Sequence, residues 1–264
     1  MHQYQRHDLV WLTPAGWQAA LAADPAREAV FSYWQREQWP AVVRRPEPGS
    51  APASASASSP ASAPGRAPDG GPGTASGGGR ASGPGNAPGN SAPGGSVAGE
   101  VFLGIALPPD AQGVKQRVGL RAALEHVERS AAPLTLKAAR DAVPDGWRPG
   151  YAELERLSAG LDMRVFGSLA WQALTSLPCL SGTSDIDILF RPLSQQQLHA
   201  GLALLSSDGH GLPLDGEIMF PSGQAVSWKE WHAASAAKAR VLVKDLAGVH
   251  LADREALLAT LRSA

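Results

Sequence analysis

The stretch 165-VFGSLAWQALTSLPCLSGTSDIDILF-190 sets Gly167 and Ser168 before an apolar segment, then places Asp185 and Asp187 one residue apart among isoleucines. In an extended strand, residues two apart share a face and lie roughly 6.5 to 7 Å apart along the chain. Asp185 and Asp187 therefore point one way, and Ile186 and Ile188 point into a core. Two like charges held together raise each other's pKa unless a cation neutralises them. The cation to expect is magnesium, a hard ion that takes carboxylates, waters and substrate phosphates at once. A glycine at a strand end, followed by a helix, lets backbone N–H groups approach a phosphate, and the helix N-terminus favours its charge. Gly167 and Ser168, with Ser184 just before the acidic pair, are the candidate phosphate-side residues.

A second stretch, 212-LPLDGEIMF-220, repeats the geometry, with Asp215 and Glu217 on one face and Leu214 and Ile218 on the other. Four carboxylates on two strands suit a two-metal centre that clamps attacking and leaving oxygens in phosphoryl transfer. Neither an Asp-x-Asp nor a Gly-Ser is informative alone, since either is commonly a solvated strand end. The order is what carries weight: strand, Gly-Ser, helix, acidic strand, then a later acidic strand.

Strands and helices interleave throughout the C-terminal half, which predicts a mixed α/β (α+β) catalytic domain over residues 134–264. Helices are expected at "PLTLKAARDAV", "GYAELERLSAG", "AWQALTSL", "LSQQQLHAGLALLSS", "KEWHAASAAK" and "ADREALLATLRS", and strands at "MRVFGSL", "DIDILF", "LPLDGEIMF", "QAVSW", "RVLVKD" and "GVHL". A small α+β domain, residues 1–133, precedes it. There Thr13-Pro14 reads as an N-cap and first helical position, a second helix covers "AREAVFSYWQRE", and "WPAVVRR" and "EVFLGIALPP" read as strands.

Between those two strands lies a low-complexity insertion, residues 46–98. Its first 51 residues, 46 to 96, contain no Leu, Ile, Val, Met, Phe, Tyr or Trp. Such a segment buries too little apolar surface to offset the entropy of ordering it. Of the 264 residues, 264 − 51 = 213 remain to fold, enough for two modest domains. The economical reading pairs the flanking strands and loops the segment out, because loop-closure entropy grows only with the logarithm of length. The competing reading makes it an interdomain linker.

The net charge of −1 argues against a general nucleic-acid binder held by phosphate neutralisation. Arg44 with Arg45, and Lys115 with Arg117, still form local basic clusters. They are either solvated surface charge or contacts to an anionic ligand or acidic partner. Lys244, in "VLVKD", is either an edge-strand lysine or a phosphate ligand. His7 reads as a packing histidine, or else as one that lines a cleft. The eight tryptophans, Trp171, Trp228 and Trp231 among them, read as core anchors. Cys179 is the only cysteine, which excludes an internal disulfide and multi-cysteine zinc, and the start lacks a signal-peptide layout. With no long uncharged apolar run, a soluble cytoplasmic protein is expected. Walker loops, Gly-x-Ser-x-Gly elbows and His-Glu-x-x-His are absent.

The Gly-Ser turn, acidic-x-acidic strand and later acidic strand resemble the nucleotidyltransferase superfamily. More closely, "FGSLAWQALTSLPCLSGTSDIDILFRP", "DGEIMFPSGQAVSWKEW", "RHDLVWL" and "WPAVVRR" resemble the malonate decarboxylase holo-[acyl-carrier protein] synthase family, also called phosphoribosyl-dephospho-CoA transferases. The low-complexity insertion departs from the family pattern and bears only on the N-terminal geometry. The resemblance implies a reaction in which a serine of the acyl-carrier subunit of malonate decarboxylase attacks 2′-(5″-triphosphoribosyl)-3′-dephospho-CoA and releases diphosphate. It implies that Asp185 and Asp187 hold Mg²⁺ against the triphosphate and that Gly167 and Ser168 cradle phosphates. Asp215 or Glu217 then completes the metal site or takes the serine proton. Two other readings remain: a transferase that uses an NTP to modify a small hydroxyl compound or a protein, and a catalytically silent carrier-protein-binding module.

Overall fold

The computed structural model describes residues 4–46, 99–207, 211–234 and 239–262; the insertion beyond Pro46 lies outside them. Strand β1 (Leu9–Leu12) leads into helix α1 (Pro14–Ala23), where the Thr13 side chain caps the helix by accepting a hydrogen bond from the Gly16 N–H. Pro25 starts a 3₁₀ turn, and helix α2 (Glu28–Arg36) follows. Strand β2 (Ala41–Val43) then pairs antiparallel with β3 (Glu100–Pro109), Val42 opposite Gly104 and Val43 opposite Leu103. The two strands that flank the insertion are therefore sheet neighbours, as the economical reading expects.

Sequence reasoning did not place the strands β4 (Lys115–Ala123) and β5 (Val127–Ala131), nor β1. They complete an antiparallel five-stranded sheet in the order β4-β3-β2-β1-β5. Strand β4 alternates polar and apolar with a period of two, Val118, Leu120 and Ala122 buried between exposed neighbours, but its arginines and glycine dilute the β-branched signal.

The second sheet has seven strands in the order β12-β11-β10-β9-β8-β7-β6. They are β6 (Leu134–Thr135), β7 (Met163–Phe166), β8 (Ile186–Phe190), β9 (Leu214–Met219), β10 (Ala225–Ser227), β11 (Arg240–Lys244) and β12 (Val249–Asp253). Among the described strands only β8 and β9 run parallel. "PLTLKAARDAV", expected to be helical throughout, is instead a two-residue strand, a four-residue helix α3 (Leu136–Ala139) and a 3₁₀ turn. Thr135 explains the late start: it is extended, and its side chain caps the Ala138 N–H. Helices α4 (Arg148–Leu157), α5 (Gly167–Thr175) and α6 (Gln195–Leu205) lie on their expected stretches. Helix α7 (Trp228–Ala233) starts at the last residue of the expected strand "QAVSW", with residues 235–238 of "KEWHAASAAK" outside the described residues. Helix α8 (Arg254–Leu258) covers only five of the twelve residues of "ADREALLATLRS", whose first two belong to β12.

The helices cover one face of this sheet. Ile186, Ile188, Phe190, Ile218, Val226, Val241 and Val243 point into a core shared with Tyr151, Leu169, Leu198 and Trp231. Among the described buried residues a small apolar cluster, Leu189, Met219 and Ala225 with Phe166, lies on the opposite face. Trp171, from α5, packs instead into the core of the first sheet, its ring 6.1 Å from that of Trp34. Trp34 is fully buried and donates its indole N–H to the Pro40 carbonyl. Trp171, Trp228 and Trp231 are all buried, the anchors the sequence suggests. Among the described residues no helix is long and apolar enough to cross a membrane.

Candidate functional site

Residues directly opposite each other across a ladder share a face of the sheet. On the face away from the helices, Phe166 pairs with Asp187 and Asp187 with Asp215. One step further along the strands, Leu189 pairs with Glu217 and Glu217 with Ser227. Asp187, Asp215 and Glu217 thus stand on one surface, while Asp185 sits one residue before β8 and is exposed. The expectation that Ile186 and Ile188 face the core holds, since both are fully buried.

Two glycines set the spacing. Gly216 separates Asp215 from Glu217 with φ +136°, and a Cβ there would run into the Ile188 backbone of the parallel neighbour. Gly167, at the end of β7, has φ +68°, and a Cβ on it would collide with the Asp187 carboxylate. The Gly-Ser turn and the acidic strand are therefore in direct contact. Helix α5 begins at this turn with neither a side-chain cap nor an acidic residue in its first turn, so its N–H groups and dipole are left for an anion.

Lys115 arrives from the other sheet. Its Nζ donates to Ser168 Oγ at 2.8 Å and to Ser184 Oγ at 3.2 Å. Ser184 is buried, and its Oγ also accepts from the Ser181 N–H. The candidates Gly167, Ser168, Ser184, Lys115, Asp187 and Asp215 therefore gather at one place. Arg117 lies two residues along β4 on its exposed side, and Arg45 is exposed. The Arg44 guanidinium lies over Gly119 of the first sheet.

The electrostatics separate the acids. Burial, with the charges of Asp215 and Asp185 next in weight, pushes the Asp187 carboxyl up to about 6, and Lys115 only partly offsets this. Asp215 makes a half-exposed ion pair with Lys229 at 3.4 Å. Glu217 is buried and held by three basic side chains: Arg6 at 3.1 Å, His7 at 3.2 Å and Lys244 at 3.0 Å. Burial alone would raise its pKa, but these partners together hold it well below the usual carboxylate range. Burial lowers the His7 pKa despite Glu217, so at neutral pH the contact is a hydrogen bond donated by a neutral imidazole Nε2–H. Lys244 is thus neither a plain edge-strand lysine nor facing solvent alone; it neutralises an acid of the site face.

Sequence reasoning missed Arg6, and for His7 it favoured packing over a place lining the cleft. His7 does pack, its ring centroid 4.1 Å from that of Phe166, but it also grips Glu217. It adopts φ +71° in a tight turn where the Asp8 carboxylate accepts from the Gln5 N–H and the His7 N–H reaches the Val43 carbonyl. That turn presents Arg6 and His7 side by side. Its signal in "RHDLVWL" is only a basic pair before a strand.

Among the described residues no group of three or more His, Cys, Asp or Glu side chains is arranged to hold a metal ion. The surface offers instead a repelling acidic pair in register beside a cluster of serine hydroxyls, an ammonium and helix N–H groups.

The comparisons with known proteins agree in kind. The model of the phosphoribosyl-dephospho-CoA transferase MdcG C-terminal domain matches residues 134–255, and that of its N-terminal domain residues 5–55. A phosphoribosyl-dephospho-CoA transferase of Bradyrhizobium diazoefficiens is 32% identical over 94% of this chain and 90% of its own length. One of Xanthomonas euvesicatoria pv. vesicatoria is 32% identical over 96% and 95%. One of Xanthomonas campestris pv. campestris is 38% identical over 62% and 76%. No solved structure matches. With two sheets that bring Lys115, the Gly-Ser turn and the acidic strands together, and with relatives matched along nearly its whole length, the chain belongs to the phosphoribosyl-dephospho-CoA transferase family.

Proposed function

We propose that this enzyme moves the 2′-(5″-phosphoribosyl)-3′-dephospho-CoA group from its triphosphoribosyl precursor to a serine of the apo acyl-carrier subunit of malonate decarboxylase, releasing diphosphate, as a nucleotidyltransferase-type reaction. The observation that carries the reading is the contact of Gly167 with Asp187 beside the Lys115–Ser168–Ser184 seat. A polyphosphate laid there meets cationic and N–H donors on one side and the Asp187–Asp215 pair on the other.

The carboxylates form no protein-only metal cage, and magnesium does not require one. Asp185, Asp187 and Asp215 supply hard oxygens, the charge repulsion at Asp187 calls for a cation, and magnesium is usually bound by one or two carboxylates plus substrate phosphates rather than by a protein-only cage. The chemistry magnesium supplies when bound is neutralisation of the triphosphate oxygens and of the charge growing on the diphosphate. Lys115 and the first turn of α5 orient the phosphates. Ser168 and Ser184 hold the Lys115 ammonium in place. Asp215 is the third carboxylate in this assignment, open either to complete the metal site or to take the serine proton. Glu217, surrounded by Arg6, His7 and Lys244, anchors instead of ligating. The single, buried Cys179 suits a reducing compartment, and we read the enzyme as cytoplasmic.

Intact-mass analysis tests the reaction. The apo carrier protein incubated with enzyme, precursor and Mg²⁺ gains the prosthetic-group mass, and ATP in place of the precursor adds nothing. Modification with ATP alone would instead favour the NTP-using transferase. Gly167→Ala lowers the transfer rate about 100-fold or more, the scale expected for displacing a reacting group by about 1 Å. It also costs about 1–2 kcal/mol of stability for the left-handed backbone, read by thermal melting. Parent-like activity in Gly167→Ala would remove Asp187 from the phosphate seat.

A further inference from the structure

The Asp187–Asp215 pair has two flanks, and each carries an ammonium. In the sheet order β10-β9-β8-β7, Lys115 stands on the β7–β8 side, where its Nζ meets Ser168 and Ser184. The other flank is built by the end of β10. That strand stops at Ser227, which pairs with Glu217, so the chain leaves the sheet two residues short of Asp215. Trp228 then turns into the helix-side core, 8% exposed, and the next residue, Lys229, comes out beside Asp215 with its Nζ 3.4 Å from Oδ1. Asp215 therefore has a like charge, Asp187, across the ladder on one side and Lys229 on the other.

Lys229 is held differently from the other lysine on this face. Lys244 meets Glu217 at 3.0 Å, and that carboxylate is buried and shared with Arg6 and His7, which makes the contact part of the fold. The side chains of Lys229 and Asp215 are 53% and 42% exposed, and the Lys229 ammonium lies 5.6 Å from the centre of the Trp228 ring. An ion pair this exposed is worth at most about fivefold in an equilibrium constant, so another cation can take the carboxylate at little cost. The ammonium so released stays on the rim of the site, a mobile point charge on a four-carbon stem of the kind that follows a phosphate.

We propose that Lys229 is a second phosphate ligand, held in reserve by Asp215: in the loaded enzyme it leaves that carboxylate to the proposed Mg²⁺ and binds the polyphosphate from the flank opposite Lys115. The proposal rests on the transfer reading given above and adds a substrate-binding residue to it. Strands β7 and β9 stand two strand spacings apart, about 10 Å. A single phosphate seated against Lys115 and Ser168 stays on its own flank, whereas a triphosphate reaches across the acidic pair to Lys229. The two lysines thus read the length of the phosphate chain. Asp215 has a cationic partner whether the site is empty or filled.

Calorimetry on the full-length enzyme tests this with inorganic triphosphate, orthophosphate and Mg²⁺ as probes, and transfer is followed in parallel by intact mass. Lys229→Met is expected to weaken triphosphate binding in the presence of Mg²⁺ about tenfold or more, the scale of a lost hydrogen bond to a charged group. Orthophosphate binding stays at the parent value. Mg²⁺ alone binds the variant more tightly, by up to about fivefold, because no ammonium competes for Asp215. Lys229→Arg, which keeps the charge, restores triphosphate binding, and both variants melt with the parent because the ion pair is half-exposed. A salt bridge that served only the fold would not move the two affinities in opposite directions. Triphosphate binding unchanged in Lys229→Met, or weakened no more than that of orthophosphate, overturns the contact even if Mg²⁺ binds more tightly. Normal transfer by Lys229→Met with the parent's KM for the precursor likewise removes the contact and leaves the transfer reading in place. A parent that binds triphosphate through Lys229 yet never modifies the carrier leaves the contact standing and removes the transfer reading.

Discussion

Asp187→Asn melts several degrees above the parent at pH 8, melts with it near pH 4, and loses transfer at both. The parent carboxyl is held at about 6 by burial and by the neighbouring Asp215 and Asp185 charges, against an ordinary value of 3.8. A carboxyl raised in the folded state contributes stability that is fully present below its unfolded pKa and is lost as pH rises through the folded value. The parent therefore weakens between roughly pH 4 and pH 6, and stays weakened above. The shift corresponds to at most about 3 kcal/mol, or on the order of 5–10 °C in melting temperature for a chain of this size. Asparagine keeps the shape and removes the charge, so the gain appears only where the parent carboxyl is ionised. The proposed Mg²⁺ would relieve the same repulsion. At 100 times its Kd it stabilises the parent by about 2.7 kcal/mol, and a variant without the ligand gains far less. Melting curves at pH 4 and pH 8, with and without Mg²⁺, decide the matter. An Asp187→Asn protein no more stable than the parent at pH 8, or one equally stabilised by Mg²⁺, sinks both the charge crowding and the metal assignment.

This pairing of low stability with crowded charge explains why the C-terminal half was legible. A period-two acidic pattern inside an isoleucine strand, as at Asp185 and Asp187, conflicts with what a buried strand wants, and such conflicts mark sites. Gly216 and Gly167 carry the same signal in another form, since each occupies a position where any side chain collides. The strands and helices that follow from hydrophobic periodicity, β7 through α6 and β9 through β12, fell close to where their patterns put them, whereas α8 is a five-residue helix inside a longer apolar pattern. What the sequence hid is contact across distance. Nothing local to Lys115 says that it crosses from β4 to two serines 53 and 69 residues further on, or that Arg44 in an equally basic pair lies over a glycine of its own sheet. The strands β4 and β5 were invisible for a related reason: their exposed faces are arginine- and glutamate-rich, so only the buried half of the alternation speaks for a strand.

Glu217 shows how far the sequence pattern carries and where it stops. Asp215 and Glu217 share a face and are equivalent by spacing, which leaves either as the third carboxylate. Their partners make them different. Glu217→Gln removes the one negative charge among Arg6, His7 and Lys244, and breaking a buried ion pair from one side costs about 3–5 kcal/mol because the partner charge stays behind unpaired. A fall in melting temperature on the order of 10 °C is expected at pH 7. The sign with pH is opposite to that of Asp187. The Glu217 pKa is lowered on folding, so its contribution is present above the ordinary value of 4.5 and is lost as pH falls through the folded value, well below that. The gap between parent and Glu217→Gln therefore narrows on acidification, whereas the gap for Asp187→Asn opens on alkalinisation. Kinetics separate anchoring from ligation. If Glu217 only holds the Arg6–His7 turn against β9 and β11, residual transfer in Glu217→Gln keeps the parent's dependence on Mg²⁺ concentration and shows its defect in KM for the precursor. Asp215→Asn, by contrast, raises the Mg²⁺ requirement and changes the stability by no more than about 1 kcal/mol, because its ion pair with Lys229 is half-exposed. A double-mutant cycle of Glu217→Gln with Arg6→Met adds the remaining control: their effects fall short of additive if the two side chains share one interaction, and simple additivity would show that Arg6 is held by something else.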